Sequence, residues 1–294
     1  MATNDLTRKQ AEVRSAHISN VNYKLYLELD KESTNYRGKT VIHFDYNPNN
    51  MNELIIDFIT ETVDSVVLNG NKLENYKKDE FWLYIDSSLL EAGSNQLELG
   101  YINKYDNTGS GFHRFVDPED KEVYIHTDFE PYDAHRLFPC FDQPDLKATY
   151  QLDITGPADW EFIHNSDPTS ESVNDGIKSI SFKETAKFST YIFALVVGPH
   201  QKWEDKYNDI PLRLYCRKSL DQYLDPENLF DITKESFHFL ENYFDIPYPY
   251  GKYNRNIEDC NHAGSLYLPQ HPFARGLLRR LHGLRMVMEF RTKI

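Results

Sequence analysis

Apolar and polar positions change period several times along this chain, and each change marks an element. Thr7-Arg8-Lys9-Gln10 has the form of a capping box, in which a hydroxyl and an amide side chain satisfy first-turn backbone amides. It predicts a short polar helix ending near Ser15. Val21, Tyr23, Leu25, Leu27 and Leu29 then alternate with mostly polar residues, the pattern of a half-buried strand. Thr40, Ile42, Phe44 and Tyr46 repeat it after the polar Lys31–Asn35 connection, so the two are expected to pair as a hairpin. Short strands follow at Leu54–Phe58, Ser65–Leu68, Phe81–Ile85 and Gln96–Tyr101, with Asn69-Gly70-Asn71 as a turn among them. A second series is predicted at Leu146–Thr155, Glu161–Asn165, Ile177–Lys183, Thr190–Val197 and Leu212–Arg217. Many short strands without intervening helices indicate a mainly β, antiparallel sandwich.

The period changes again near Asp225-Pro226-Glu227. Leu229, Ile232, Phe237, Leu240 and Phe244 fall on one stripe at helical spacing and predict a helix of roughly five turns over 227–244, stopped by Pro247 and Pro249. Residues 1–217 therefore read as a β-rich unit and 218–254 as the start of another. Residues 255–294 differ from both. They carry seven bases and three acids, against 25 and 43 before them, and Pro269, Pro272, Gly276 and Gly283 interrupt any periodicity.

Composition narrows the partners. The chain is 40% hydrophobic, enough for a core, and its net charge of −14 argues against nucleic acid and tolerates cationic ligands. Three widely spaced cysteines make no disulfide framework and point to a reducing compartment. No apolar leader and no membrane-length apolar run is seen, so a soluble, cytoplasmic protein without a membrane partner is expected.

The densest chemistry lies in Val123–Tyr150, VYIHTDFEPYDAHRLFPCFDQPDLKATY. Asp128 and Glu130 stand two apart, so on an extended strand they share a face. Such a pair is costly unless a cation sits between them: a metal, an arginine or a ligand amine. By itself the spacing also fits a solvated strand edge ending at Pro131. Leu137-Phe138-Pro139-Cys140-Phe141 reads as a buried run, with Cys140 a packed thiol, and His126 and His135 read as surface or core histidines.

The run from Gly111 to Tyr150 resembles the substrate-edge segment of the aminopeptidase N family of zinc peptidases (peptidase family M1). There a Gln-x-Glu-Pro strand end precedes Arg-x-Phe-Pro-Cys-x-Asp-x-Pro, and Arg136 to Pro144 matches that second string at each fixed position. Asn20-Val21-x-Tyr23-x-Leu25 resembles the family's opening strand, and Phe244 to Tyr253 the beginning of its catalytic domain. The resemblance covers about residues 5 to 254. It implies a saddle-like β-sandwich followed by the start of an α-rich, thermolysin-like catalytic domain. It also implies a peptide partner whose free α-amine is held by a glutamate, here Glu130. The position two before is commonly Gln, lining the pocket for the first side chain; here it is Asp128, which favours cationic side chains.

The family's zinc is held by His-Glu-x-x-His and a later Glu, preceded by Gly-x-Met-Glu-Asn. No two of the eleven histidines are four apart, and Met288-Glu289 is followed by Phe290. Cys260-Asn261-His262 supplies only two potential ligands. No zinc is therefore expected to bind this chain, and no catalytic or metal residue is assigned. The expectation is the amino-terminal part of a zinc aminopeptidase whose frame or length changes after about Asn254, inactive alone. The alternative is a non-catalytic binding or scaffold protein on the same fold, like the inactive transcription-factor subunit of this architecture; an unrelated carbohydrate-binding sandwich fits less of the pattern.

Overall fold

Thr7 caps the first helix as its sequence demands: its hydroxyl accepts from the Gln10 amide, and the Gln10 side chain returns to the Thr7 amide at 2.9 Å. In the computed structural model, which describes residues 6–48 and 51–257, this helix is α1 (Arg8–His17). Strands β1 (Ile18–Glu28) and β2 (Asn35–Tyr46) form the expected antiparallel hairpin, with Tyr23 opposite Ile42. After them come β3 (Glu53–Asp57), β4 (Thr62–Leu68), β5 (Asn71–Lys72), β6 (Lys77–Lys78), β7 (Trp82–Asp86) and β8 (Gly93–Lys104). Next are β9 (Gly111–Val116), β10 (Val123–Asp128), β11 (Thr149–Pro157), β12 (Glu161–His164), β13 (Pro168–Asn174), β14 (Ile177–Phe182) and β15 (Leu195–Gly198).

The largest sheet has the order β13-β14-β11-β1-β2-β8-β4-β5; a second runs β12-β15-β10-β9 and a third β3-β7-β6. The inward sides of β1, β2, β8 and β11 supply Tyr23, Leu25, Ile42, Phe44, Leu99, Tyr101, Tyr150 and Leu152, all essentially inaccessible. The run from Leu137 to Phe141 fills the space against them. Leu137, Phe138, Cys140 and Phe141 are each fully buried. Phe138 packs edge-on to Tyr23 at 5.7 Å, and Phe141 packs edge-on to Phe44 at 5.5 Å. The fold is thus the mainly β sandwich expected, with a departure from antiparallel order in its largest sheet. β1 pairs with β11 in parallel, Tyr23 beside Tyr150. Side-chain alternation reports which face a residue occupies and says nothing of strand direction.

Other departures have local causes. Thr190–Val197 is not one strand: a 3-10 turn, Thr190–Ile192, precedes β15. Thr190 Oγ1 donates to Asp142, the Asn165 side chain donates to Ile192 O, and its oxygen accepts from Ala194 N; these bonds replace a ladder. β13, PTSESVN, is exposed at every position and so lacks the alternation that would announce it.

The chain divides into two compact units at His200/Gln201, ahead of the expected boundary at 217. The reason is pairing. β16 (Gln201–Tyr207) and β17 (Ile210–Cys216) form a separate sheet with β18 (Tyr253–Ile257), which runs parallel to β17. On this sheet lies α2 (Pro226–Phe244), capped by the Asp225 side chain accepting from Asn228 N at 3.1 Å. Its buried face is centred on Phe230 and Phe237, packed with Leu212, Leu214 and Tyr253. The stripe is rotated from the one expected, since Ile232 is exposed while Leu240 and Phe244 are half-buried. Among the described residues no helix is long and apolar enough to cross a membrane. The basic segment after 257, including Cys260 and His262, lies outside the described residues.

Candidate substrate-recognition edge

β10 is held on both sides. It pairs with β9 along its whole length, Asp128 opposite Gly111, and with β15 through Ile125 and His126. Thr127 locks the end of this strand inward: its hydroxyl donates to Phe193 O and accepts from Leu195 N at 2.9 Å. Beyond the strand the alternation persists. Thr127 is buried, Asp128 exposed, Phe129 buried beside Phe193, and Glu130 exposed. The ladder itself stops at Asp128, and Glu130 opens a turn through a cis peptide bond to Pro131. Asp133 N donates to Phe129 O at 3.1 Å and closes that turn. The two carboxylates that the sequence singles out therefore stand in solvent on either side of one anchored phenylalanine.

Behind the turn is a buried acid that sequence reasoning does not find. Asp57, fully inaccessible, accepts from Arg14 twice (2.6 and 3.2 Å), Trp82 Nε1 (3.0 Å), Tyr132 Oη (2.9 Å) and Asp142 N (2.9 Å). Five donors around one carboxylate meet the requirement that a buried charge be both paired and hydrogen-bonded. Burial, followed by the Asp57 charge, pushes the Tyr132 phenol well up, so it stays a donor. One end of the turn is tied in this way to α1, β3 and β7. A capping box signals α1, yet nothing local tells that Arg14 will meet Asp57.

The far side of the turn is fixed by His135 and Arg136. His135, buried, bonds Asp142 Oδ2 through Nδ1 at 2.7 Å and through its amide at 3.2 Å. It is a core histidine. Arg136 binds Asp106 through Nε at 3.0 Å and through a closer Nη2 contact. Gly111 makes that pair possible. Its φ of +76° is one that L side chains rarely adopt, and a Cβ there would lie 2.1 Å from Asp106 Oδ2 and 2.8 Å from Arg136 Nε. Burial raises the Asp133 carboxyl above its usual value, against the opposing pull of Arg136.

His126, half-buried, faces His113 across the β9–β10 pair with ring centroids 5.0 Å apart. Cys140 is the packed thiol expected, its pKa driven up by burial. Among the described residues no three His, Cys, Asp or Glu side chains are grouped to hold a metal. The donors present do not fit a catalytic zinc, and no zinc chemistry is assigned to them. What this edge offers is an exposed carboxylate pair on a rigid mount, suited to a cation.

Comparisons with known proteins bear on that arrangement. The family model for the Peptidase M1 N-terminal domain matches residues 19–192. Aminopeptidase N of Streptomyces lividans is 36% identical over 276 residues, which is 90% of this chain and 31% of that protein. Aminopeptidase M1 of Arabidopsis thaliana is 31% identical, covering 69% of this chain and 23% of the relative. The alanine/arginine aminopeptidase of Saccharomyces cerevisiae is 26% identical, over 82% of this chain and 29% of its own length. The chain thus spans less than a third of each of these relatives.

Proposed function

Since the chain belongs to the peptidase M1 family, we propose that it is the amino-terminal recognition part of an aminopeptidase that removes first residues from peptides. Glu130 holds the α-ammonium of the substrate, and Asp128 faces its first side chain. The observation that carries this reading is the pair of exposed carboxylates flanking buried Phe129 on a turn fixed by Asp57, His135 and Arg136.

The chemistry follows from charge. An internal peptide segment presents a neutral amide where an amino terminus presents a cation. An acid placed to meet that cation is left uncompensated by any other substrate, which is how one carboxylate enforces exopeptidase action. A rigid mount matters because displacement of about 1 Å at a positioning group can cost on the order of a hundredfold in rate. Bond cleavage itself belongs to zinc chemistry in the remainder of such an enzyme. Residues 218–254 are read as the start of that catalytic part. A reducing, cytoplasmic setting is consistent with the free, buried thiols Cys140 and Cys216.

The test is a chimera in which residues 1–254 replace the matching segment of the Streptomyces lividans relative. It is expected to cleave an amino-terminal residue from short peptides, and Glu130→Gln to lower kcat/KM by about tenfold or more. An unchanged kcat/KM would remove Glu130 from this role.

A further inference from the structure

A cleft of about 180 Å³ lies between α1 and the sheet of β3 and β7, and none of its lining residues belongs to the end of β10. Val13 and Arg14 come from α1, Leu54 and Ile55 from β3, and Trp82 from β7. Val13 is 42% exposed on a helix that is otherwise mostly polar, so an apolar residue that the packing of α1 leaves in solvent is found at the cleft.

Two of the lining residues are held by one buried carboxylate. Asp57 accepts from Arg14 at 2.6 and 3.2 Å and from Trp82 Nε1 at 3.0 Å. An occupant therefore meets walls already in place and loses less affinity to ordering them. The same bonds decide which charge is left to act on it. The terminal nitrogens of Arg14 go to Asp57 and to Ile55 O. Glu53, at the open side, is paired with Lys77 at 3.3 Å, and Glu12, on the turn after Lys9, with Arg8 at 2.7 Å. Lys9 also lines the open side, and among the described residues it has no ion-pair partner. The mouth of an apolar cleft thus carries one uncompensated positive charge.

We propose that this cleft binds a small aromatic carboxylate, its ring in the cleft beside Trp82 and its charge outward at Lys9. The size fits, since a cavity of roughly 150 Å³ lined by apolar side chains holds benzene. An apolar body with a few polar groups at the mouth is the usual form of a small-molecule site. The Trp82 indole favours a ring over an alkyl chain of equal area. Charge then selects among rings. An ammonium about 4 Å from a carboxylate in a water-like medium changes affinity by about three- to tenfold. The chain as a whole carries −14, but charges beyond about 8 Å are largely screened at physiological salt, so Lys9 governs the mouth. This site is independent of the role of Glu130 and Asp128.

The complete 294-residue chain, isotopically labelled, is titrated at about pH 7.5 with 3-phenylpropionate, with its neutral counterpart 3-phenylpropanol and with the cationic 3-phenylpropylamine. Binding is followed in NMR at the Trp82 indole N–H, identified by its loss in Trp82→Phe. The acid is expected to shift this signal with a Kd of about 1 mM or tighter. The alcohol is expected to bind about three- to tenfold more weakly, and the amine more weakly again. Lys9→Gln, at a solvated position, is expected to bring the acid to within about twofold of the alcohol. Val13→Trp, which supplies a competing ring from the helix, is expected to abolish the shift with both; Lys9→Gln keeps the test decisive should that variant not fold. No shift at about 10 mM acid overturns the proposal. So does an alcohol or amine that binds as tightly as the acid, or an acid affinity unchanged in Lys9→Gln or in a folded Val13→Trp.

Discussion

Arg14 and Asp57 meet at 2.6 Å in the interior, one from the first helix and the other from the end of β3. Both are shielded from water, and Asp57 has three further donors. Truncating the cation leaves a buried carboxylate facing only neutral partners. Arg14→Ala is expected to destabilise the protein by about 3–5 kcal/mol. A urea midpoint shift at neutral pH, with unchanged slope, checks this; a change under about 1 kcal/mol would show that the neutral donors suffice.

Alkaline pH should weaken the fold. Burial raises Cys140 well above its ordinary 9.0, and it raises Tyr23, Tyr36 and Tyr150 well above 10.0. Each group keeps its proton when folded and loses it when unfolded, so the unfolded state binds fewer protons and stability falls with rising pH. Stability is intact below about pH 9. Above pH 9 for the thiol and 10 for the phenols, each group removes roughly 1.4 kcal/mol per pH unit until its raised folded value is reached. Urea midpoints at about pH 8, 9.5 and 10.5 measure the slope, and a flat profile would place these groups in solvent.

Gly111→Ala tests the support beneath the acidic row. The new methyl meets the Asp106–Arg136 pair while the backbone is held at positive φ. A loss of about 1–3 kcal/mol is expected, as for overpacking at a site with no room to relax. Gly70→Ala is the control: it has a similar φ of +79° with nothing within 4 Å, so it shows the backbone penalty alone.

In the chimera, Asp128→Asn is expected to lower the ratio of kcat/KM for arginine- over leucine-terminated peptides by about three- to tenfold. Parallel kinetics on the two peptides decide it. Equal ratios before and after would direct Asp128 away from the first side chain.

Much of the core was written locally. Period-two alternation marked β1, β2 and β8, and the capping box marked α1 to within two residues. The run Leu137–Phe141 read as buried because it is nearly all apolar, and it is. What stayed hidden depends on partners distant in sequence. Arg14 looks like any basic residue on a polar helix until Asp57 is beside it, and Tyr132 looks like a loop tyrosine. Phe237 and Ile232 appeared equivalent on one helical stripe; only the sheet laid against α2 distinguishes the covered residue from the exposed one. At the end of β10 the spacing of Asp128 and Glu130 was legible, whereas the His113–His126 pairing needed the β9–β10 register.

The parallel pairing of β1 with β11 has a consequence for how the chain comes into being. β1 leaves the ribosome long before residues 149–155, which claim one of its edges. Until those residues emerge, the hairpin of β1 and β2 waits with an open flank of backbone donors and acceptors, and Tyr23 without Phe138 or Tyr150 to cover it. Non-local pairing of this kind is slow and leaves strand edges exposed to other chains. The nascent protein is therefore vulnerable to mispairing until β11 has emerged, and the string from Arg136 to Pro144 serves as the closing piece of the sandwich as well as a support for the turn after β10.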